Sequence, residues 1–299
     1  MHIPSISQCR QGALVASLAL MLAACGSSDE YKWEPWDTEQ QAETPVSIIT
    51  ADGTEEDLKT GSTLGIYVVN EDGTVTWMTV AVDSDGNIIL PSEAQTGKVI
   101  AYTPVQLGWG KEAFNTLQRF EVQPDQSSQA DYDASDLMIG TMSVVTRGTE
   151  VELQFKHMLA KVVVHIVDET GAIDPDNASM RLLRMAGTVS VSLSAMQVST
   201  VENSQIDIDM LPYNVTDRRI SLAAIVAPQT IEEGVDFLEF TVAGSHRACP
   251  MPTRTELEGN MTFVYQMRYT DEGLVPDGSY IVGWEDDGTE TEFDIRTTK

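Results

Sequence analysis

Basic residues are scarce in this chain of 299: 18 Lys and Arg stand against 46 Asp and Glu, a net charge of −28. A nucleic-acid-binding surface needs clustered cations facing the phosphates, so the charge balance argues against DNA or RNA as partners. The acids come in runs of no more than three between apolar stretches, which marks a solvated surface and not a disordered tail. Cysteine is nearly absent, at Cys9, Cys25 and Cys249 only. Helical periodicity is equally rare, and only Lys111 to Arg119 reads as one or two turns of helix. No apolar run reaches the roughly 20 residues of a membrane-spanning helix. The run from Ala13 to Ala24 has 12.

That run follows Arg10 and has the tripartite form of a secretory signal. It ends in Leu22-Ala23-Ala24-Cys25, which resembles a lipobox, with small residues before a cysteine that is diacylated before cleavage. Residues 1–24 are therefore expected to be a lipoprotein signal peptide, and Cys25 the lipid attachment site carrying palmitate-type chains. An ordinary signal with a chance cysteine is the plainer alternative. Processing would leave 17 basic residues against 46 acidic ones, a net of −29, with Cys249 as the free thiol. With no internal disulfide, stability must come from core burial. Acyl chains at about 0.8 kcal/mol per buried methylene outweigh screened repulsion from anionic lipid, so the lipid holds the protein at the membrane. Residues 25–45, polar with Trp33 and Trp36 beside Pro35, read as a tether. The acidic pair Asp29-Glu30 resembles the surface-export signal of some Gram-negative lipoproteins, and a solvated linker accounts for two charges equally well.

From Val46 onward the dominant signal has period two, the mark of strands with one buried face. Leu64, Ile66 and Val68 share a face; so do Val189, Val191 and Leu193, then Ile206, Ile208 and Met210, then Leu238, Phe240 and Val242, and Met261 through Tyr269 at alternate positions. Ile220 to Ala227 lacks polar alternation and reads as a strand covered on both faces, ended by Pro228. Asp-Gly pairs at 52–53, 72–73, 85–86, 277–278 and 287–288 are hairpin candidates, because Asp-Gly supplies the positive φ that tight turns need. Val151, Leu153 and Phe155 have opposite parity to Val162, Val164 and Ile166, so a bulge or bend is expected near Ala160. At about 100–200 residues per domain the length suits two cores. The all-β pattern predicts two antiparallel β-sandwich domains, 46–147 and 148–299, divided at the turn-rich Thr146-Arg147-Gly148-Thr149.

Chemistry-bearing patterns are few. His157 and His165, eight residues apart on a strand, would stand about 27 Å apart and cannot share a metal. His246 near Cys249 lacks a third ligand at metal-site spacing. Asp83-Ser84-Asp85-Gly86-Asn87 opens like a calcium loop, but the sixth and twelfth positions hold Ile88 and Ala94. Nucleophile-elbow, phosphate-loop and Cys-x-x-Cys patterns are absent, and the paired acids Glu55-Glu56 and Asp286-Asp287 fall in turn-like contexts. The expectation is a protein that is not an enzyme and has no cofactor and no metal.

Several stretches then become specific. Phe120-Glu121-Val122-Gln123-Pro124-Asp125-Gln126-Ser127, with Tyr132 and Ser135-Asp136-Leu137-Met138-Ile139-Gly140, resembles a stretch typical of fimbrillin-like proteins. Val151 to Val162 resembles that family's opening strand of its second domain, Ala227-Pro228-Gln229-Thr230 a recurrent strand end, and Glu258 to Tyr269 with Ile281 to Trp284 its closing strands. The ordered set runs from about Val46 to the end. The resemblance implies two transthyretin-like domains in a surface-exposed outer-membrane lipoprotein that becomes a subunit, tip or anchor of a type V pilus (fimbria). It further implies that an arginine-specific protease removes the N-terminal strand, and that another pilus subunit then fills the groove by strand addition.

One departure stands out. No arginine lies between Arg10 and Arg119, so the family's usual cleavage position is empty. Lys59 is the nearest basic candidate for processing, and a protease shaped for guanidinium would bind it poorly. That shifts weight toward an anchor or a permanently tethered protein. Val46 to Thr50 is expected to fill one edge of the first sandwich. The rival reading is a non-polymerising surface lipoprotein that holds a glycan or host protein on a sandwich face, for adhesion without assembly.

Overall fold

The computed structural model describes residues 44–50, 61–84, 87–90, 97–142, 151–174, 177–216, 218–284 and 286. Cys25, Lys59, the turn at 146–149 and the Asp-Gly pairs at 52–53, 85–86 and 287–288 lie outside them. All described residues belong to one unit, Gln41–Lys299.

The first eight strands are β1 (Thr44–Thr50), β2 (Thr63–Val69), β3 (Val75–Ala81), β4 (Asn87–Leu90), β5 (Lys98–Thr103), β6 (Gln118–Glu121), β7 (Met138–Met142) and β8 (Val151–His157). Seven of them form one sheet in the order β3-β2-β5-β7-β8-β1-β4, while β6 leaves it. Strand β2 is buried on both faces, with Leu64, Ile66 and Val68 in one apolar cluster and Tyr67 in another. At Asn70–Gly73 the expected hairpin joins β2 to β3: Gly73 N donates to Asn70 O at 2.9 Å, and Gly73 sits at φ +81.

Thirteen more strands follow among the described residues: β9 (Ala160–Asp168), β10 (Ala178–Ala186), β11 (Thr188–Ser192), β12 (Gln197–Thr200), β13 (Gln205–Asp209), β14 (Leu211–Thr216), β15 (Arg219–Val226), β16 (Gln229–Ile231), β17 (Asp236–Val242), β18 (Ser245–Pro250), β19 (Thr255–Leu257), β20 (Met261–Thr270) and β21 (Gly273–Gly283). They form the sheets β14-β15-β9-β20-β21 and β13-β10-β17-β18, the pair β16-β19, and β12-β11-β6, in which β6 from the first half joins two strands of the second. The alternations read from sequence are real. Val189, Val191, Leu193, Ile208, Leu238, Phe240, Phe263, Tyr265 and Met267 are all buried in the main core, and β15 is buried along nearly its whole length. The parity switch also appears: β8 ends at His157 in the first sheet, and β9 starts at Ala160 in another.

Three local readings differ. First, the sheets are not purely antiparallel, because β1 pairs β8 and β9 pairs β20 in parallel. Parallel neighbours need a crossover connection, and here each lies about a hundred residues away, beyond any local pattern. Second, Asp277-Gly278 is not a turn. Gln266 faces Gly278 and Met267 faces Pro276, so Asp277 is the extra residue of a bulge within β21, beside a proline that cannot donate to the ladder. The β20–β21 turn comes earlier, with Gly273 at φ +106. Third, an α-helix, α1 (Gln129–Ser135), forms where none is expected, while the segment expected to be helical makes a short 3-10 turn at Lys111–Asn115. Ser128 caps α1 by accepting from Asp131 N, and Tyr132 packs against Val163, Ala223 and Val264 on one sheet face.

Two buried polar groups tie segments together. Gln126 is wholly buried and behaves like a strand residue: its Nε2 donates to Ile225 O and its Oε1 accepts from Ile225 N, both at 2.8 Å. Asp168 organises the loop after β9. Its Oδ1 accepts from Thr170 N, Thr170 Oγ1 and Gly171 N, and its Oδ2 from Ile173 N at 2.9 Å. Burial raises the carboxyl pKa, but these donors together outweigh it and hold the group below its ordinary range.

Candidate functional site: the strand slot of the first sheet

The N-terminal strand β1 does not lie at an edge, as the sequence suggested. It lies inside the sheet, parallel to β8 on one side and antiparallel to β4 on the other. The edge is β4, a strand too short to announce itself in sequence. On the β8 side Val46, Ile48 and Thr50 are level with Val151, Leu153 and Phe155; on the β4 side Thr44 and Val46 are level with Leu90 and Ile88. Even-numbered β1 positions thus share a level with Ile88, Leu90, Leu153 and Phe155, which are buried in one apolar cluster with Leu64, Ile66 and Val68. Odd-numbered positions are level with Ile89, which is 45% exposed, and with the exposed Gln154. The slot therefore has an apolar floor and a solvated roof, the arrangement that accepts an alternating strand.

Among the described residues, only β1 pairs with β4 and joins it to the rest of the sheet. Without it, β8 would show a free backbone edge along residues 151–155, and β4 would keep its turn bond, Asp83 N to Asn87 O at 2.8 Å, but no ladder. On its far side β8 stays fixed by β7, with Gly140 against Phe155. Its C-terminal end is anchored as well. His157 is buried, its Nδ1 is 2.8 Å from Asp136 Oδ1, and its ring stacks on Trp284 at 3.9 Å. Lys161 Nζ lies 5.1 Å from the Trp284 ring centre. Thr262 Oγ1 donates to Trp284 O at 3.0 Å.

The other sequence candidates are structural. His165 is buried and its Nδ1 lies 2.8 Å from Ser221 Oγ on the neighbouring strand. His246 is on the surface, with Nδ1 2.9 Å from Thr241 Oγ1. Cys249 is a free, buried cysteine whose thiol pKa is pushed up by burial, so it is a poor nucleophile. Among the described residues no group of three His, Cys, Asp or Glu could hold a metal ion, and no helix is long and apolar enough to cross a membrane. A cleft of about 760 Å³ opens between Lys156, Met158, Met196, Thr230 and Glu258. No Phe, Tyr or Trp lines it, so it offers a sugar ring no aromatic platform.

Fold comparison places the chain beside three solved structures. A candidate cell adhesion protein from Bacteroides ovatus matches with a TM-score of 0.61 at 14% identity, over 81% of this chain and 98% of that one. One from Bacteroides uniformis matches with 0.60 at 15%, over 83% and 99%. A third, from Bacteroides thetaiotaomicron, gives 0.53 at 17%, over 79% and 97%. Identities this low speak for the fold alone. No curated protein matches the chain in sequence. A model of the fimbrillin-like family does match, over residues 36–284, a span that starts before the slot strand and ends at the tryptophan clamped to β8. The chain belongs to the fimbrillin-like family.

Proposed function

We propose that this protein is a fimbrial or adhesion-related surface lipoprotein, not an enzyme, which joins other pilus subunits by strand addition at the β1 slot. Family membership supports the fimbrial or adhesive role. The single observation that carries strand addition is the place of β1: the first described strand of the chain lies between two others and closes an apolar floor that is otherwise complete. A donor strand that runs parallel to β8, with apolar residues level with Leu153 and Phe155, would restore both ladders. Main-chain hydrogen bonds would give it affinity and the floor would give it specificity.

In this reading residues 1–24 are removed, Cys25 carries the lipid that holds the protein at the outer membrane, and two transthyretin-like sandwiches, 46–147 and 148–299, follow the tether. Cutting at Lys59 would free β1, and an uncut chain would serve as an anchor. A direct test places a specific protease site at Lys59, cuts, removes the freed strand, and follows size by light scattering with and without peptides from partner pilins. Oligomers or peptide complexes that persist on dilution are expected. A trimmed chain that stays folded, monomeric and unable to bind any strand would count against strand addition.

A further inference from the structure

A row of cross-strand partners runs over the first sheet and ends in the slot. Ile66 on β2 faces Ala101 on β5, Ala101 faces Gly140 on β7, Gly140 faces Phe155 on β8, and Phe155 is level with Thr50 on β1. Ile66, Ala101 and Phe155 belong to the apolar cluster that floors the slot, and Gly140 is buried beside them. Side-chain size changes abruptly along this row. The phenyl ring stands next to a position with no side chain, and an alanine follows.

A Cβ added at Gly140 would lie 3.0 Å from Phe155 Cγ and 3.1 Å from Phe155 Cδ1. Cβ atoms directly opposite on antiparallel strands are about 4.5–5.5 Å apart. Phe155 Cγ has closed that gap by at least one C–C bond, about 1.5 Å, so the ring leans across β7 and away from β1. The β8 backbone cannot give way to relieve a side chain at 140. Gln154 O would also lie 3.0 Å from the added Cβ, and two residues beyond Phe155 the buried His157 is bonded to Asp136 and stacked on Trp284. Gly140 is thus a positioning residue: it accepts a ring that would otherwise stand over the slot.

We propose that Gly140, acting through Phe155, gives the slot one size-selecting position: a recess level with Thr50 that favours a strand carrying an isoleucine-sized apolar residue there. Strand β1 brings a threonine to that level. Threonine has the shape of valine but carries a hydroxyl, so an incoming strand with a larger, wholly apolar residue gains on the resident one. The recess would then select among donors and bias exchange toward them. Its use in donor selection rests on the strand-addition reading, whereas the recess itself belongs to the uncut chain and can be measured there.

The first arm of the test uses the uncut chain with Cys9 and Cys25 replaced by serine. In urea unfolding Thr50→Ile should exceed Thr50→Val about fourfold in folding constant, the equivalent of one buried methylene. Both residues are apolar and β-branched, so the comparison reads size alone. In a Gly140→Ala background the ring is pushed back toward the slot, and Thr50→Ile should fall to or below Thr50→Val. Adding Phe155→Leu to that background should restore the order. No advantage of Thr50→Ile with Gly140 intact would overturn the proposal, and that comparison stands even where Gly140→Ala does not fold. An advantage that survives Gly140→Ala would overturn it too. The second arm cuts the chain at a protease site placed at Lys59, leaves β1 seated, and follows its displacement by labelled peptides of residues 44–50. The peptide with Thr50→Ile should compete about fourfold better than the one with Thr50→Val. Equal competition would overturn donor selection while strand addition stands. If neither these nor the parent peptide enters, strand addition fails and donor selection with it, whatever the first arm shows.

Discussion

Among the described residues two strand pairs run parallel, β1 with β8 and β20 with β9, and β1 and β20 are held very differently. Strand β1 pairs five residues with β8 and four with β4. Strand β20 pairs eight with β9 and ten with β21, and it buries Phe263, Val264, Tyr265 and Met267 on its two faces. The short one comes at the N-terminal start of the described chain; the long one lies between the earlier β9 and the later β21. Both complete a sheet, and the strand-addition proposal concerns β1, the first described strand of the chain. On the proposed reading, the same parallel geometry serves as a permanent core element in one sheet and as a replaceable part in the other.

The sharpest way to break the comparison is to strike each core. Phe263→Ala in β20 removes a ring from the main cluster and is expected to cost about 3–5 kcal/mol in denaturant unfolding, whereas excision of β1 should leave the rest of the chain folded. If excision destabilises the whole molecule as much as Phe263→Ala does, β1 is core and not a replaceable part.

Gln126→Ala comes next. It strands the amide and carbonyl of Ile225 in a buried setting and should cost about 1–3 kcal/mol, read as a lower urea midpoint with an unchanged slope. Asp168→Asn should cost a comparable or smaller amount at pH 7 by weakening the loop after β9. The folded pKa of Asp168 is depressed, so its contribution is fully present above the unfolded value of 3.8 and is lost as pH falls through the lower folded value. The gap between wild type and Asp168→Asn should therefore shrink in acid. A gap that widens as pH falls would contradict the hydrogen-bond account. Smallest is His246→Ala, at an exposed site, expected to stay within about 0.5 kcal/mol.

The strands legible in sequence were those whose own alternation decides their burial. Val189 and Val191, or Phe263 and Tyr265, face the core whatever lies beside them. Neighbours were not legible, because register between β1 and β8 depends on residues about a hundred positions apart. Hence the sequence reading placed β1 at an edge and missed both parallel pairs. Asp277-Gly278 misled because its turn chemistry was spent on a bulge next to Pro276. Helix α1 did leave a signal, Ser128 three residues before Asp131 in the manner of a capping box, though the helix is too short for periodicity to show. Gln126 left none, since nothing local distinguishes a glutamine that will bracket Ile225 from one in solvent. Lys59 and Cys25 remain proposals from sequence, to be read from the mass and N-terminal residue of the protein recovered from cells.

The central claim, that the β1 slot is built to be vacated and refilled, is tested most directly by amide hydrogen exchange on the chain before and after β1 is cut out and washed away. With β1 removed, the amides of β4 at residues 87–90 and of β8 at residues 151–155 that point toward β1 should lose protection, while those of β8 that point toward β7 and those of β9 and β20 keep theirs. A synthetic peptide of residues 44–50 should restore the protected pattern. Global loss of protection would contradict the claim. So would an emptied slot that stays protected and binds no peptide, because β4 would then have closed directly onto β8.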